Sequence, residues 1–490
     1  MKRLVPRLRQ FLNWYLPGVA APVRRQLVLG ILAAAVVFTC IALLYALFGP
    51  PLKTADEALH LDYALSISQL HIPLFFEGPR LSIPGVYFPD VQWVSQHPPL
   101  YYLVQAPFVA LANALTDPSG MVFVGRLVSI AIGLCAVLAI PPILARWRLA
   151  PVIILGTTVL FSVTLMHIGT SAAIYNDSLS TLLSILTLGV TGYIVLEGPT
   201  RRRVLLLTLL VALALATRAS LIVTVLISCL GLASTYFVHR ERLQLSGLKS
   251  AAKGLLVAAG AAIFTALTSG WYYIHNFLYS GSFVGSQPEW AAEHLHRKVF
   301  SLAAVVKRSD VQQQILTVLS EEHVVRWLCV GLIVVAVVGL VAWAMRAKTA
   351  HSRRLCIVVG LLVLHALGIF ALLVQYIMSG GANNIRYLLP IFMSFLLLVS
   401  IGAFYLRTLG KVLVGILFFA GLYTALFGTM RLTGARLYTI ANGSLHFAVP
   451  KPVLIAVTLI LGTGIIIAST WLIVTLFRLK GTTLTSKARV

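Results

Sequence analysis

Apolar runs of eighteen or more residues recur along almost the whole of this chain, and that pattern restricts its fold more than any motif does. A helix of about 20 apolar residues, at 1.5 Å rise each, crosses the hydrocarbon core of a bilayer. Charged residues make up 11% of the chain. An ordinary soluble domain carries about 25%, so no stretch here has the charge to solvate one. There is no low-complexity linker and no internal repeat. The expected fold is all-α: a polytopic membrane helical bundle of about twelve spans, with juxtamembrane helices in its outer loops.

A formal charge of +24 would suit a nucleic-acid binder, but its distribution does not. The bases sit in short patches beside apolar spans: Arg24 and Arg25, Arg146 and Arg148, Arg201 to Arg203, Arg240 and Arg242, Arg353 and Arg354. This is the positive-inside pattern, which orients a membrane protein and removes nucleic acid as a partner. The first span, about 26–48, follows a basic segment and is too long for a signal-peptide core, so it reads as a retained anchor. The five cysteines fall inside predicted spans with neither metal-ligand nor disulfide spacing, and read as small core residues.

The later spans are expected at 122–145, 151–170, 178–197, 204–216, 219–237, 254–279, 325–345, 355–378, 387–406, 411–429 and 452–477. Residues 98–115 are apolar too, but counting them as a span would put Arg201 to Arg203 and most later basic clusters outside. Laid flat on the outer surface, they leave twelve spans and both termini inside. On that reading 25 of the 38 Lys and Arg lie inside with only Glu197 and Glu241, and the other 12 of 14 acids lie outside. The division is a cytoplasmic segment 1–25, a catalytic region 26–406, C-terminal helices 407–477 and a cytoplasmic tail 478–490. Two outer loops, 49–121 and 280–324, exceed the usual loop length of a compact protein and are rich in aromatics, which suits interfacial helices.

Chemistry concentrates on that acid-bearing side. Asp56 and Glu57 open a helical stretch with Thr54 as a cap, and His60 falls one turn on from Asp56. The helix dipole alone accounts for one such acid; a carboxylate held at the membrane surface also suits a general base. His97-Pro98-Pro99-Leu100-Tyr101-Tyr102 starts the flat helix with a rigid corner. Asp177, after Asn176, either caps the following helix or faces Asp56 across a cavity, where the pair could hold a divalent cation such as Mg or Mn. Arg218 sits at a hairpin tip between apolar spans, where an unpartnered guanidinium costs about 2.5–3.5 kcal/mol near mid-membrane. It either snorkels or meets an anion such as a lipid-linked phosphate, whose oxygens fit its fork of donors. Arg386, followed by Tyr387, offers a second guanidinium behind a Gly- and Asn-rich turn. In Trp271-Tyr272-Tyr273-Ile274-His275-Asn276 an aromatic belt explains the rings, but not His275 and Asn276.

Together and in this order, these residues resemble the GT-C superfamily of integral-membrane glycosyltransferases, notably the branch with protein O-mannosyltransferases and aminoarabinose transferases. The resemblance runs from Asp56 to Pro390. It implies that Asp56 is the catalytic carboxylate, that Asp177 shares the site, and that Arg218 and Arg386 bind the phosphate of a polyprenyl-linked sugar donor. His60, His97, Tyr101, Asn176, His275, Asn276 and Tyr387 would line the substrate. Arg218 stands where many relatives show Lys and His275 where many show Arg, and no second acid lies two residues from Asp177. The reaction implied is transfer of a sugar to a lipid, glycan or protein acceptor at the extracytoplasmic face of the cytoplasmic membrane. A transporter or flippase is the alternative. It would show inverted repeats and helix breaks near the midplane, and the sequence displays neither.

Overall fold

The computed structural model describes residues 4–52, 55–83, 86–309, 311, 323–441 and 451–479, and within them every regular element is helical. In chain order these are α1 (Leu4–Tyr15), α2 (Ala21–Phe48), α3 (Ala55–Ser68), α4 (Leu100–Leu115), α5 (Pro118–Arg146), α6 (Pro151–Ser162), α7 (Leu165–Ser171), α8 (Asp177–Glu197) and α9 (Arg201–Leu215). Then follow α10 (Ile222–Val238), α11 (Gly247–Ser280), α12 (Pro288–His294), α13 (Leu302–Lys307), α14 (His323–Met345), α15 (Ala350–Met378), α16 (Phe392–Tyr405), α17 (Thr408–Ala441) and α18 (Lys451–Arg478). Short 3₁₀ turns occupy 75–77, 93–96, 219–221 and 385–391.

Among the described residues ten helices are long and apolar enough to span a bilayer, or eleven if α6 and α7 form one bent span. The expectation of twelve exceeds this by α9. Its 15 residues reach only about 22 Å, short of a hydrocarbon core of about 30 Å. Helix α4 is likewise below spanning length, in keeping with a segment laid flat. A second difference lies at 151–170, where the chain bends by 57° between α6 and α7. The turn after α7 carries Tyr175 and Asn176 to the head of α8, whose first residue is Asp177. At the other end, the helix expected over 411–429 continues as far as Ala441, so Arg431 lies on α17.

Local chemistry sets the helix ends. The Asp117 carboxylate accepts from the Gly120 amide and Pro118 opens α5, while the Thr349 hydroxyl accepts from the Ser352 amide at α15. Small residues set how closely the spans approach. A Cβ at Gly402 of α16 would strike the Ala336 carbonyl of α14, and one at Gly339 of α14 would strike the Gly402 carbonyl. Without a hydrophobic force between helices in lipid, such close backbone approach supplies much of their association. Of the cysteines, Cys329 is buried and Cys40, Cys229 and Cys356 are half-buried against the core, so the core reading fails only for Cys135, which is exposed.

Above the bundle, α3 packs on α4 with the Tyr63 and Tyr102 rings stacked at 3.8 Å. Asp62 on α3 accepts from the backbone N–H of Arg80 (2.8 Å) and Leu81 (2.7 Å) and from the Gln92 amide (2.6 Å). That buried staple fastens the 80–92 segment to α3 and so fixes where the 93–96 turn begins.

Candidate active site

Helix α3 starts within a few residues of the end of α2, which places Asp56 and Glu57 in its first turn. The expected cap, Thr54, lies outside the described residues. From this common start the two acids diverge. Asp56 turns toward the 385–391 turn, where Arg386 pairs with its Oδ2, and its Oδ1 accepts from Trp93 Nε1 at 2.8 Å. Glu57 turns inward to Arg126 of α5, at 2.8 Å from both Nε and Nη2.

Arg386 is the hub. Its Nε stands 4.0 Å from Asp177 Oδ2, while Arg218 pairs with Asp177 Oδ1. Two carboxylates and two guanidiniums therefore alternate in one row: Asp56, Arg386, Asp177, Arg218. Tyr175 and Tyr387 present their faces to these cations, with Arg386 Cζ 4.8 Å from the Tyr175 ring and Arg218 Cζ 5.0 Å from the Tyr387 ring. Side-chain exposure along the row is 30% at Asp56, 13% at Arg386, 2% at Asp177 and 7% at Arg218. Access is thus from the Asp56 end.

Two polar atoms in this row's surroundings are buried and have no hydrogen-bond partner: Arg386 Nε and Asn176 Oδ1. The Asn176 amide nitrogen meanwhile reaches the Thr217 carbonyl at 3.5 Å. A donor and an acceptor left unsatisfied beside paired charges are costly in a protein that binds nothing there.

Two histidines lie beside the row, the buried His60 and the half-buried His97, with His60 meeting the Tyr175 ring edge-on at 5.3 Å. His60 shares a 2.8 Å hydrogen bond through Nδ1 with the Tyr102 hydroxyl, and its ring lies parallel to His97 at 6.1 Å. Burial, then the nearby Arg386 and Arg218 charges, hold His60 well below the ordinary imidazole range. Burial and the same cations do likewise for His97, against a smaller opposing pull from Asp56. Both are neutral at physiological pH. For Asp56, burial pushes the carboxyl up, but Arg386, the Trp93 indole and His97 together pull it further down, below the usual carboxylate range.

The structure thus gathers Asp56, His60, His97, Asn176, Asp177, Arg218, Arg386 and Tyr387. It places the remaining candidates elsewhere. Tyr101 turns its hydroxyl to Ser129 of α5 at 2.8 Å. His275 and Asn276 line a neighbouring cleft, Asn276 donating to the Gln96 carbonyl at 3.2 Å. Trp93, Tyr175 and Arg126 are contributors that sequence reasoning passed over. Arg126 had a usable signal, since it is a lone guanidinium near the start of an apolar span and needs a partner for the same reason as Arg218.

The divalent cation expected between Asp56 and Asp177 would meet two carboxylates that are both ion-paired. Each carboxylate already faces a guanidinium, so a cation would have to displace Arg386. Such ions take six or more oxygen ligands, and among the described residues no three His, Cys, Asp or Glu converge.

No protein-family model matches the chain, and no curated protein does. Among solved structures, ArnT from Cupriavidus metallidurans bound to undecaprenyl phosphate is similar at 12% identity and a TM-score of 0.46, over 91% of this chain and 76% of that one. The same protein in its apo state gives 13% and 0.47 over the same shares. The Archaeoglobus fulgidus oligosaccharyltransferase, in complex with Zn and sulfate, gives 13% and 0.43 over 82% of this chain and 52% of that one. With TM-scores below 0.5, none of these likenesses supports a chemical step here. What the chain's own helices establish is an all-α, multi-pass integral membrane bundle.

Proposed function

We propose that the protein is a glycosyltransferase that moves a sugar from a polyprenyl-phosphate donor to an acceptor at the extracytoplasmic membrane face. The observation that carries this reading is the row Asp56–Arg386–Asp177–Arg218, open at the carboxylate end and closed at the arginine end.

The chemistry follows from that order. A phosphate ester carries negative charge that rises as its bond to the sugar breaks. Arg386 and Arg218 supply preorganised donors for it where water is largely shut out. The buried Arg386 N–H that lacks a partner gives one of them a free donor. Asp56, the exposed member, accepts the proton of the acceptor hydroxyl or amine. That oxygen or nitrogen forms the new bond to the anomeric carbon, the carbon–phosphate oxygen bond breaks, and the polyprenyl phosphate leaves as an anion. One displacement inverts the anomeric centre. The isoprenoid tail dissolves in the bilayer, which accounts for a site built at the ends of spanning helices.

The free protein holds its base in check, because Arg386 pairs with Asp56 and stabilises the ionised form. A phosphate that draws Arg386 toward itself relaxes that pairing, so Asp56 becomes more basic once the donor is seated.

The deciding test is transfer of radiolabelled sugar from a panel of polyprenyl-phosphate sugars, in membranes carrying wild type or Asp56→Asn. Transfer by the wild type that vanishes in the variant supports the reading. Undiminished transfer by Asp56→Asn removes Asp56 as the base. No transfer from any donor by folded, inserted protein favours the transporter reading, which the α6–α7 break otherwise supports only in part.

A further inference from the structure

Behind the 93–96 turn lies a second cleft of about 280 Å³, at the lower edge of the size of small-molecule sites and suited to a single small ring. It is built by three segments that sequence distance keeps apart: the Pro73–Glu77 stretch, the Ser95–Gln96 backbone, and the end of α11 with Gly285 beyond it. Its floor is fixed. Tyr272 donates to the Ser95 carbonyl, Asn276 donates to the Gln96 carbonyl, and Gly285 at φ +67° lies so close to Gln96 that a Cβ there would collide with it.

Three features of the lining select a ligand class. Aromatic faces come from Phe75, Phe76, Tyr279 and His275, and Phe76 and Tyr279 are both 61% exposed. An amide side chain comes from Gln96, for which no hydrogen bond is found among the described residues. Finally, the one carboxylate, Glu77, is already committed: Oε1 to Arg80 at 2.6 Å, Oε2 to His71 at 2.8 Å. Such a cleft offers no uncompensated charge, so it does not favour a phosphate or a basic peptide. Flat apolar rings beside amide donors and acceptors suit a molecule with C–H faces and hydroxyl edges, which is a sugar ring.

The cleft is also mechanically joined to the active site. Trp93, which donates to Asp56, begins the same turn whose end lines the cleft. Its ring stands 6.4 Å from Trp290, which in turn meets Phe75 edge-on at 5.5 Å. The aromatic wall therefore runs without a gap from the cleft lining to the base.

We propose that this cleft binds an uncharged pyranoside unit of the acceptor and so holds the acceptor beside Asp56. The word acceptor rests on the transferase reading; the carbohydrate specificity does not.

The test separates the two. Saturation-transfer NMR is run on the full-length protein in nanodiscs, free of sugar detergents, with a panel of methyl pyranosides and no donor present. Expected is saturable binding of at least one pyranoside, weakened about tenfold or more by Phe75→Ala and by Gln96→Ala, and retained by Asp56→Asn. Displacement by inorganic phosphate would assign the signal to the arginines and overturn the proposal. So would absence of saturation for every pyranoside, or binding indifferent to both cleft variants in protein that elutes as wild type. Binding that behaves as expected while transfer fails from every donor leaves the carbohydrate site standing and removes the transferase reading.

Discussion

Arg386 and Asp56 lie 330 positions apart in the chain and form an ion pair, and the same guanidinium reaches to 4.0 Å from Asp177. One side chain thereby ties the first loop, the α7–α8 turn and the entry to α16 into a single electrostatic unit. A guanidinium can do this because its donors form a planar fork, whereas an ammonium is a point charge. Arg386→Lys keeps the charge and loses the fork. Transfer should drop on the order of 10²–10³-fold, the usual cost of one preorganised donor, with the protein still folded. Asp56→Asn should cost on the order of 10²–10⁴-fold. Initial rates in the radiolabel assay check both.

Activity should be insensitive to pH across the ordinary histidine range. Asp56 is held below the usual carboxylate value of about 3.9, so the base stays ionised until the pH falls through that lower value. His60 and His97 are neutral throughout, so kcat/KM should show no step near pH 6.5 from either. A pronounced inflection there, abolished by His97→Gln, would contradict the assignment.

Stability should instead respond in that range. A histidine whose folded pKa is depressed takes no proton in the folded state, while the unfolded chain takes one below about 6.5. The unfolded state then binds more protons, so stability rises with pH through the window between the two pKa values and falls on acidification below about 6.5. The thermal midpoint in detergent should drop between pH 7 and 5.5. His60→Gln should flatten that slope, because it removes one of the depressed groups.

The Glu57–Arg126 pair is a structural clamp. Arg126 donates to the carbonyls of Ala46 and Gly49 at the end of α2, both at 2.8 Å, while Glu57 accepts from the Leu52 and Ile174 amides. It thus ties α2, α3, α5 and the turn before Asp177. Removing one partner should cost about 3–5 kcal/mol, because the other charge stays buried alone. Glu57→Leu with Arg126→Met should recover part of the thermal midpoint lost in either single variant.

Transfer should survive prolonged treatment with a chelator. Guanidiniums stand where a cation would sit between Asp56 and Asp177, and activity assayed after chelation and buffer exchange should match the untreated enzyme.

Much was legible beforehand because the bilayer imposes strong local rules. Span lengths, the short 100–115 segment and the clustering of bases each follow from the cost of exposing polar groups to hydrocarbon, paid residue by residue. The relevance of Arg218 was visible for the same reason. What stayed hidden was pairing. Asp56 and Glu57 are adjacent and chemically alike, and nothing in their spacing says that one meets Arg386 while the other meets Arg126. Trp93 was one indole among several until the Asp62 staple fixed the turn that carries it. The α6–α7 break has no proline or glycine at Val163–Thr164 to announce it.

By itself, then, the sequence determined that this chain is a multi-pass helical bundle and which residues were too costly in lipid to be there without partners. Only the tertiary structure decided the partners. Insertion energy depends on each segment alone, but a buried ion pair depends on where two distant segments come to rest, and that is set by how the whole bundle packs.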